Sequence, residues 1–134
     1  MSIASAIAVS GLKVASLRLQ VAASNIANSL SIGALPDAAN AEKFPPAYSA
    51  LRVNQTDAVG GGTSATVTTI TPATVSSYEP TAPFADDNGM VAGPNVDLAN
   101  ELVQLLVARY TFAANAQVIR ADAQMSASLL NITA

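Results

Sequence analysis

The chain has 134 residues with six basic and nine acidic side chains, no histidine and no cysteine, for a net charge of −3. That length suits one domain with a modest core, while the missing His and Cys exclude the usual zinc sets, thiolate chemistry and the commonest general base. Apolar residues make up 51% and charged residues 11%, against about 25% charged in an ordinary soluble domain, which points to a surface covered by other chains.

The opening run Met1–Val9 has an apolar core but no basic residue before it, and its helical pattern continues past Lys13 and Arg18; the expectation is that it is not a cleaved signal. Lys13 and Arg18 also break the first apolar stretch, and Arg109 and Arg120 the last, so no uncharged run reaches the roughly 18 strongly apolar residues of a membrane span. All seven prolines lie between Pro36 and Pro94. Proline stops helices by removing an N–H and crowding the preceding turn, so both ends are free to form long helices.

Residues 3–28 carry two interleaved seven-residue stripes. One is Ala8, Leu12, Ala15, Leu19, Ala22 and Ile26; the other is Ile3, Ile7, Ser10, Val14, Leu17 and Val21. One stripe describes one partner helix, and two describe a helix with several neighbours. Asn25 and Asn28 flank Ile26. They read either as helix-terminating residues or as amides that fix register across a helix seam.

The middle is irregular. Leu30–Tyr48, with Pro36, Pro45 and Pro46, reads as a loop that orders against a partner. Gly60-Gly61-Gly62 separates Leu51–Thr56 from the Thr/Val-rich run Thr63–Thr71, and branching at Cβ favours strands, so a hairpin is expected there. The glycine triplet lacks a following Lys-Ser/Thr and is a turn rather than a phosphate loop. Pro80, Pro83 and Asp86-Asp87-Asn88-Gly89 read as extended chain ending in a turn. Asp86 and Asp87 are the one carboxylate pair, and the bland reading of a solvated turn outweighs both acid–base catalysis and calcium binding, whose ligand spacing is absent.

Asp97 is the expected N-cap of the last helix, with Glu101 near its positive end. The main stripe there is Leu98, Leu102, Leu105, Arg109, Phe112, Ala116, Ile119, Ala123, Ser126 and Leu130. Such a helix is about 50 Å long, too long for the core of a compact small domain. Val107, Ala114, Val118, Ala121, Met125 and Leu129 make a second apolar face. Asn115 sits beside the main stripe and is a third candidate for setting register.

Two segments carry a family resemblance. Ala23-Ser24-Asn25-Ile26-Ala27-Asn28 resembles the N-terminal signature of the bacterial flagellar axial proteins, the rod and hook family. Asp87-Asn88-Gly89-Met90-Val91-Ala92-Gly93-Pro94-Asn95-Val96-Asp97, followed by Glu101-Leu102-Val103, resembles the lead into the C-terminal helix in the proximal-rod branch of that family. The similarity covers roughly 1–28 and 84–132. Three departures stand out: Ser29-Leu30-Ser31-Ile32-Gly33 replaces a Thr-containing stretch, Met90 stands where an aromatic is common, and the usual Arg-x-Tyr-x-x-Asn is Tyr110-x-Phe112-x-x-Asn115.

The resemblance implies a mainly α fold in three parts: an N-terminal helix (1–29), an irregular and β-hairpin middle (30–96) and a C-terminal helix (97–134). The two helices pair as a coiled-coil-like hairpin forming the inner layer of a helical tube. It further implies a non-catalytic subunit of the basal-body rod, crossing the periplasm as a driveshaft. Such subunits leave the cell through the flagellar type III export apparatus without a cleaved signal peptide. Its partners are then copies of itself and other flagellar rod proteins. No cofactor, metal, nucleic acid or small-molecule substrate is implied. Subunit packing is expected of Leu12, Leu19, Ile26, Leu102, Leu105, Phe112, Ile119 and Leu130, and register-setting of Asn25, Asn28 and Asn115. The rivals are a soluble helical adaptor or chaperone-like module and a peptidoglycan-cleaving enzyme working through Asp86 and Asp87.

Overall fold

A computed structural model describes residues 2–38 and 41–132. Helix α1 spans Ile3–Ala27 and helix α2 spans Leu98–Ile132. Between them lie strands β1 (Leu51–Asp57), β2 (Thr63–Thr69), β3 (Thr74–Tyr78) and β4 (Met90–Pro94), with a short 3₁₀ turn at Ala41–Lys43. Both helices are free of proline and capped by their neighbours. Ser2 Oγ accepts the Ser5 N–H at the start of α1, and Asn28 Nδ2 donates to the Ser24 carbonyl at its end. Asp97 Oδ1 accepts from the Ala99 and Asn100 N–H groups, satisfying amides that the first turn of α2 leaves free.

The helices pack against each other and run antiparallel: Ser5 meets Asp122 at one end of the pair, and Asn25 meets Glu101 at the other. By length and composition α1, with Lys13 and Arg18 included, is apolar enough to cross a bilayer, a test that the core helix of a soluble protein also passes. In this fold its inner side is instead covered by α2 and the first hairpin.

β1 and β2 pair antiparallel from Leu51↔Thr69 to Asp57↔Thr63. Gly60, Gly61 and Gly62 all have positive φ, a conformation open to residues without a Cβ, and they turn the chain between the strands. This hairpin lies along α1. Its base is tied to Asn25, its middle to Arg18 through Gln55 (2.8 Å), and its tip to Ser10, which accepts the Thr63 N–H at 3.0 Å.

A second antiparallel pair, β3–β4, runs from Thr74↔Pro94 to Tyr78↔Met90. The stretch from Pro80 expected to be extended is instead the turn-rich connection between these two strands, and neither strand was expected. The connection from Glu79 to Gly89 closes on Asp86, whose Oδ1 accepts from Asn88 N–H (2.9 Å) and Met90 N–H (2.7 Å). The other edge of β4 is filled by Gly33, which exchanges two 2.9 Å backbone bonds with Ala92. A side chain at Gly33 would run into the backbone of Pro46 and Ala47. Val91 and Ala92 are fully buried in β4, and Ala34, Ala47 and Ala50 are buried as well. The segment Leu30–Tyr48 thus orders against its own chain, where a separate partner was expected; residues 39 and 40 lie outside the described residues. Phe44 and Phe84, with ring centres 5.9 Å apart, join it to the β3–β4 connection.

Candidate functional site

The seam between α1 and α2 is made of small and polar residues. On α1 the buried positions are Ser5, Ala8, Gly11, Val14, Ala15, Val21, Ala22 and Asn25. On α2 the only buried positions among the described residues are Glu101 and Ala108, and Asn115 and Asp122 are half-buried. Glu101, Ala108, Asn115 and Asp122 are spaced by sevens, one row of a helix kept in register with its partner. Small side chains let the two backbones approach closely, and Ser5 with Asp122 and Asn25 with Glu101 are hydrogen-bonded across the seam.

Asn25 is the strongest point of this seam. It is fully buried, and every polar site of its amide is used. Its Nδ2 donates to the Leu51 carbonyl and to Glu101 Oε1, both at 2.8 Å. Its Oδ1 accepts from the Leu51 N–H and the Tyr48 hydroxyl, both at 3.0 Å. One side chain therefore joins α1, α2, β1 and the chain leading into β1. Satisfying both N–H groups and both lone pairs removes the desolvation cost of burying the amide.

Gly11 and Asn115 meet halfway along the pair. A Cβ at Gly11 would stand 2.6 Å from Asn115 Oδ1, so the glycine makes room for the amide, whose Nδ2 donates to the Thr111 carbonyl at 2.8 Å. Ser5 Oγ donates to the Asp122 carboxylate at the far end of the seam. That bond is the main cause holding the Asp122 carboxyl below its ordinary range. Arg18 contributes a long 3.5 Å contact to Gln104.

The residues expected to pack between subunits lie elsewhere. Leu19, Leu102, Phe112 and Leu130 are exposed, Leu102 at 56% and Leu130 at 71%, and Leu12, Ile26, Leu105 and Ile119 are half-buried beside the seam. Val103, Leu106, Val107, Tyr110 and Val118 add to the exposed apolar surface of α2. Of the three amides, Asn25 and Asn115 stand in the seam. Asn28 donates to the Ser24 carbonyl at the end of its own helix and accepts from Ser31 Oγ at 3.3 Å. Sequence reasoning missed Ser5, Gly11, Tyr48 and Asp122, and placed Glu101 only at the helix end. The sevenfold row through Glu101 was readable, but it is polar, and a search for apolar stripes passes over it.

Nothing in this arrangement gathers reactive groups. Asp86 is an acceptor in its turn, and the Met90 N–H is the main cause holding its carboxyl below the ordinary value. Among the described residues no group of three or more acidic side chains is placed to hold a metal ion.

The chain is similar to known rod proteins of the bacterial flagellum. The family described as flagellar basal body rod FlgEFG protein C-terminal matches residues 87–132, which comprise β4, α2 and the approach to them. The flagellar basal-body rod protein FlgC of Agrobacterium fabrum is 35% identical over 135 residues, covering 98% of this chain and 94% of the relative. FlgC of Salmonella typhimurium is 36% identical over 131 residues, and that of Escherichia coli O6:H1 is 34% identical over 128, each covering 94% of this chain and 92% of the relative. With similarity running through both helices and the middle alike, the chain belongs to the FlgC family of flagellar basal-body rod proteins.

Proposed function

We propose that the chain builds the flagellar rod by turning the apolar outer side of its helix pair against neighbouring subunits. As an FlgC-family member it is a structural subunit of the basal-body rod. The observation that carries the assembly reading is the exposure of Leu19, Leu102, Val103, Leu106, Tyr110 and Phe112 on helices whose mutual seam is already filled by small and polar residues. Burying each large apolar side chain against a neighbour gains about 1.5–3 kcal/mol, so a filament recovers free energy that the lone chain leaves in water.

On this reading the half-buried Leu12, Ile26, Leu105 and Ile119 flank the seam and close the gap to the next helix pair, and Leu130 extends the surface toward the end of α2. The pairing is coiled-coil-like, held in register by Asn25 and Asn115, and its role is mechanical, carrying torque along the rod without catalysis. Contacts that differ on the two sides of a subunit do not close on themselves, which suits a helical array of this chain and other rod proteins. Passage through the type III export apparatus without a cleaved signal fits a chain with no cysteine to trap and with much of its apolar surface satisfied only after assembly.

Deleting the gene in the native host and isolating basal bodies tests this reading. The expected result is loss of the rod, restored by the wild-type chain and not by one carrying Ala113→Pro, which breaks α2 at an exposed position. Complete rods in the deletion strain would contradict it. A soluble adaptor would instead keep a fixed size when mixed with other rod proteins. A carboxylate enzyme would lose turnover on Asp86→Asn/Asp87→Asn, where no turnover is expected.

A further inference from the structure

The charged side chains divide the molecule in two. Helices α1 and α2 carry four basic side chains, Lys13, Arg18, Arg109 and Arg120, and two acidic ones. Both acids, Glu101 and Asp122, are turned into the seam, where Asn25 and Ser5 donate to them. The chain between the helices carries seven acids against Lys43 and Arg52. The net −3 is therefore +2 on the helices and −5 between them, and the exposed charges of the helix pair, Lys13, Arg109 and Arg120, are all basic.

Arg109 stands inside the apolar outer side of α2. Its neighbours three and four residues away on the helix are Leu105, Leu106, Phe112 and Ala113, of which Leu106 and Phe112 are 52% and 48% exposed. Among the described residues it makes no hydrogen bond and pairs with no carboxylate. Neighbours that cover these apolar side chains cover the guanidinium with them. Arginine does not shed its charge, and closing it off from water without a counter-charge is strongly unfavourable. The surface that fits over this patch therefore brings an acid, whose two oxygens match the guanidinium fork.

Three acids converge on one cleft elsewhere in the chain. Asp37, Asp86 and Asp87 line it together with Ser76 and Asn88, and no basic side chain does. Asp86 uses one oxygen in its turn, while Asp37 and Asp87 are exposed and form no ion pair among the described residues. The β3–β4 pair packs on neither helix, and α2 packs on no element other than α1, so the cleft and Arg109 are separate surfaces of one chain.

We propose that the outer side of α2 around Arg109 docks in the Asp37–Asp86–Asp87 cleft of a second copy of this chain, guanidinium to carboxylate, with Leu106 and Phe112 packed around the pair. The inference rests on the rod-subunit reading and adds the partner surface to it. Charge complementarity selects the occupant. The chain carries both halves on different surfaces, and such a contact passes from copy to copy as a helical array requires.

Charge reversal in the full chain tests the proposal, in a strain of the native host lacking the gene, with the amount of chain in isolated basal bodies as the readout. Arg109→Glu alone and Asp37→Arg/Asp87→Arg alone are each expected to lower that amount about tenfold, while circular dichroism of the purified chains finds their unfolding midpoints unchanged. All three changes in one chain exchange the signs of the contact and should restore incorporation. Variants of either side that enter at wild-type levels overturn the contact, as do losses that the triple variant fails to rescue. The chain has no cysteine, so Ala113→Cys/Asn88→Cys gives a second readout with the charges left in place. Oxidation of basal bodies should then yield a ladder of linked copies. Monomer alone in rods that contain this variant, or links to other proteins only, overturns the proposal and leaves the rod reading intact. Failure of the wild-type chain to enter basal bodies overturns both.

Discussion

The side of α2 that faces α1 and the side that faces outward differ in the reverse sense from an ordinary surface helix. An amphipathic helix buries its apolar stripe and leaves polar residues in water. Here Glu101, Ala108, Asn115 and Asp122 turn inward, and Leu102, Val103, Leu106, Tyr110 and Phe112 turn outward. On the proposed reading the inner side sets the register of the pair, and the exposed outer side supplies hydrophobic free energy once neighbours cover it.

The largest effect on the isolated chain is expected at Asn25. Asn25→Ala strands the Glu101 carboxylate and both backbone groups of Leu51, and should cost about 3 kcal/mol, read as a lower urea midpoint by circular dichroism. A change under about 0.5 kcal/mol would show that the seam contributes little. Next comes the Gly11–Asn115 contact. Gly11→Ala alone should destabilise by about 1 kcal/mol because the new Cβ displaces the amide. In an Asn115→Ala background the same change should stabilise by about 1 kcal/mol through helix propensity. The resulting coupling, measured by a double-mutant cycle, sharpens the claim that the inner side sets register.

The smallest inner-side effect concerns Asp122. Its folded carboxyl is held below the ordinary value chiefly by Ser5, so its contribution is fully present above the unfolded pKa and is lost as pH falls through the lowered folded value. Thermal unfolding between about pH 5 and pH 2 should therefore show a shallower acid decline for Asp122→Asn or Ser5→Ala than for the wild type.

The helices were legible because proline is confined to the middle and because Asp97 stands where an N-cap is needed. The first hairpin was legible from Thr and Val around three glycines. The β3–β4 pair was not. Its strands are separated by a connection with two prolines, and β4 is buried along Val91–Pro94, so it lacks the alternation that marks a half-buried strand. Leu30–Tyr48 hid its order for another reason: it docks through the Gly33 backbone and the Tyr48 hydroxyl, and neither leaves a periodic signal. The apolar stripes were found on both helices, but the question of which stripe faces the partner helix depends on the small residues Ser5, Ala8, Gly11 and Ala15. Their effect is to admit a neighbouring backbone, which a pattern of large apolar residues does not record.

The contrast between the two sides is tested most directly by Leu102→Ser/Phe112→Ser. The account predicts that unfolding of the isolated full chain shifts by no more than about 0.5 kcal/mol for each exposed site, while incorporation into basal bodies of the native host is lost. A variant that unfolds several kcal/mol more easily as a monomer yet still enters the rod at wild-type levels would contradict it, since the outer side would then belong to the subunit's own core.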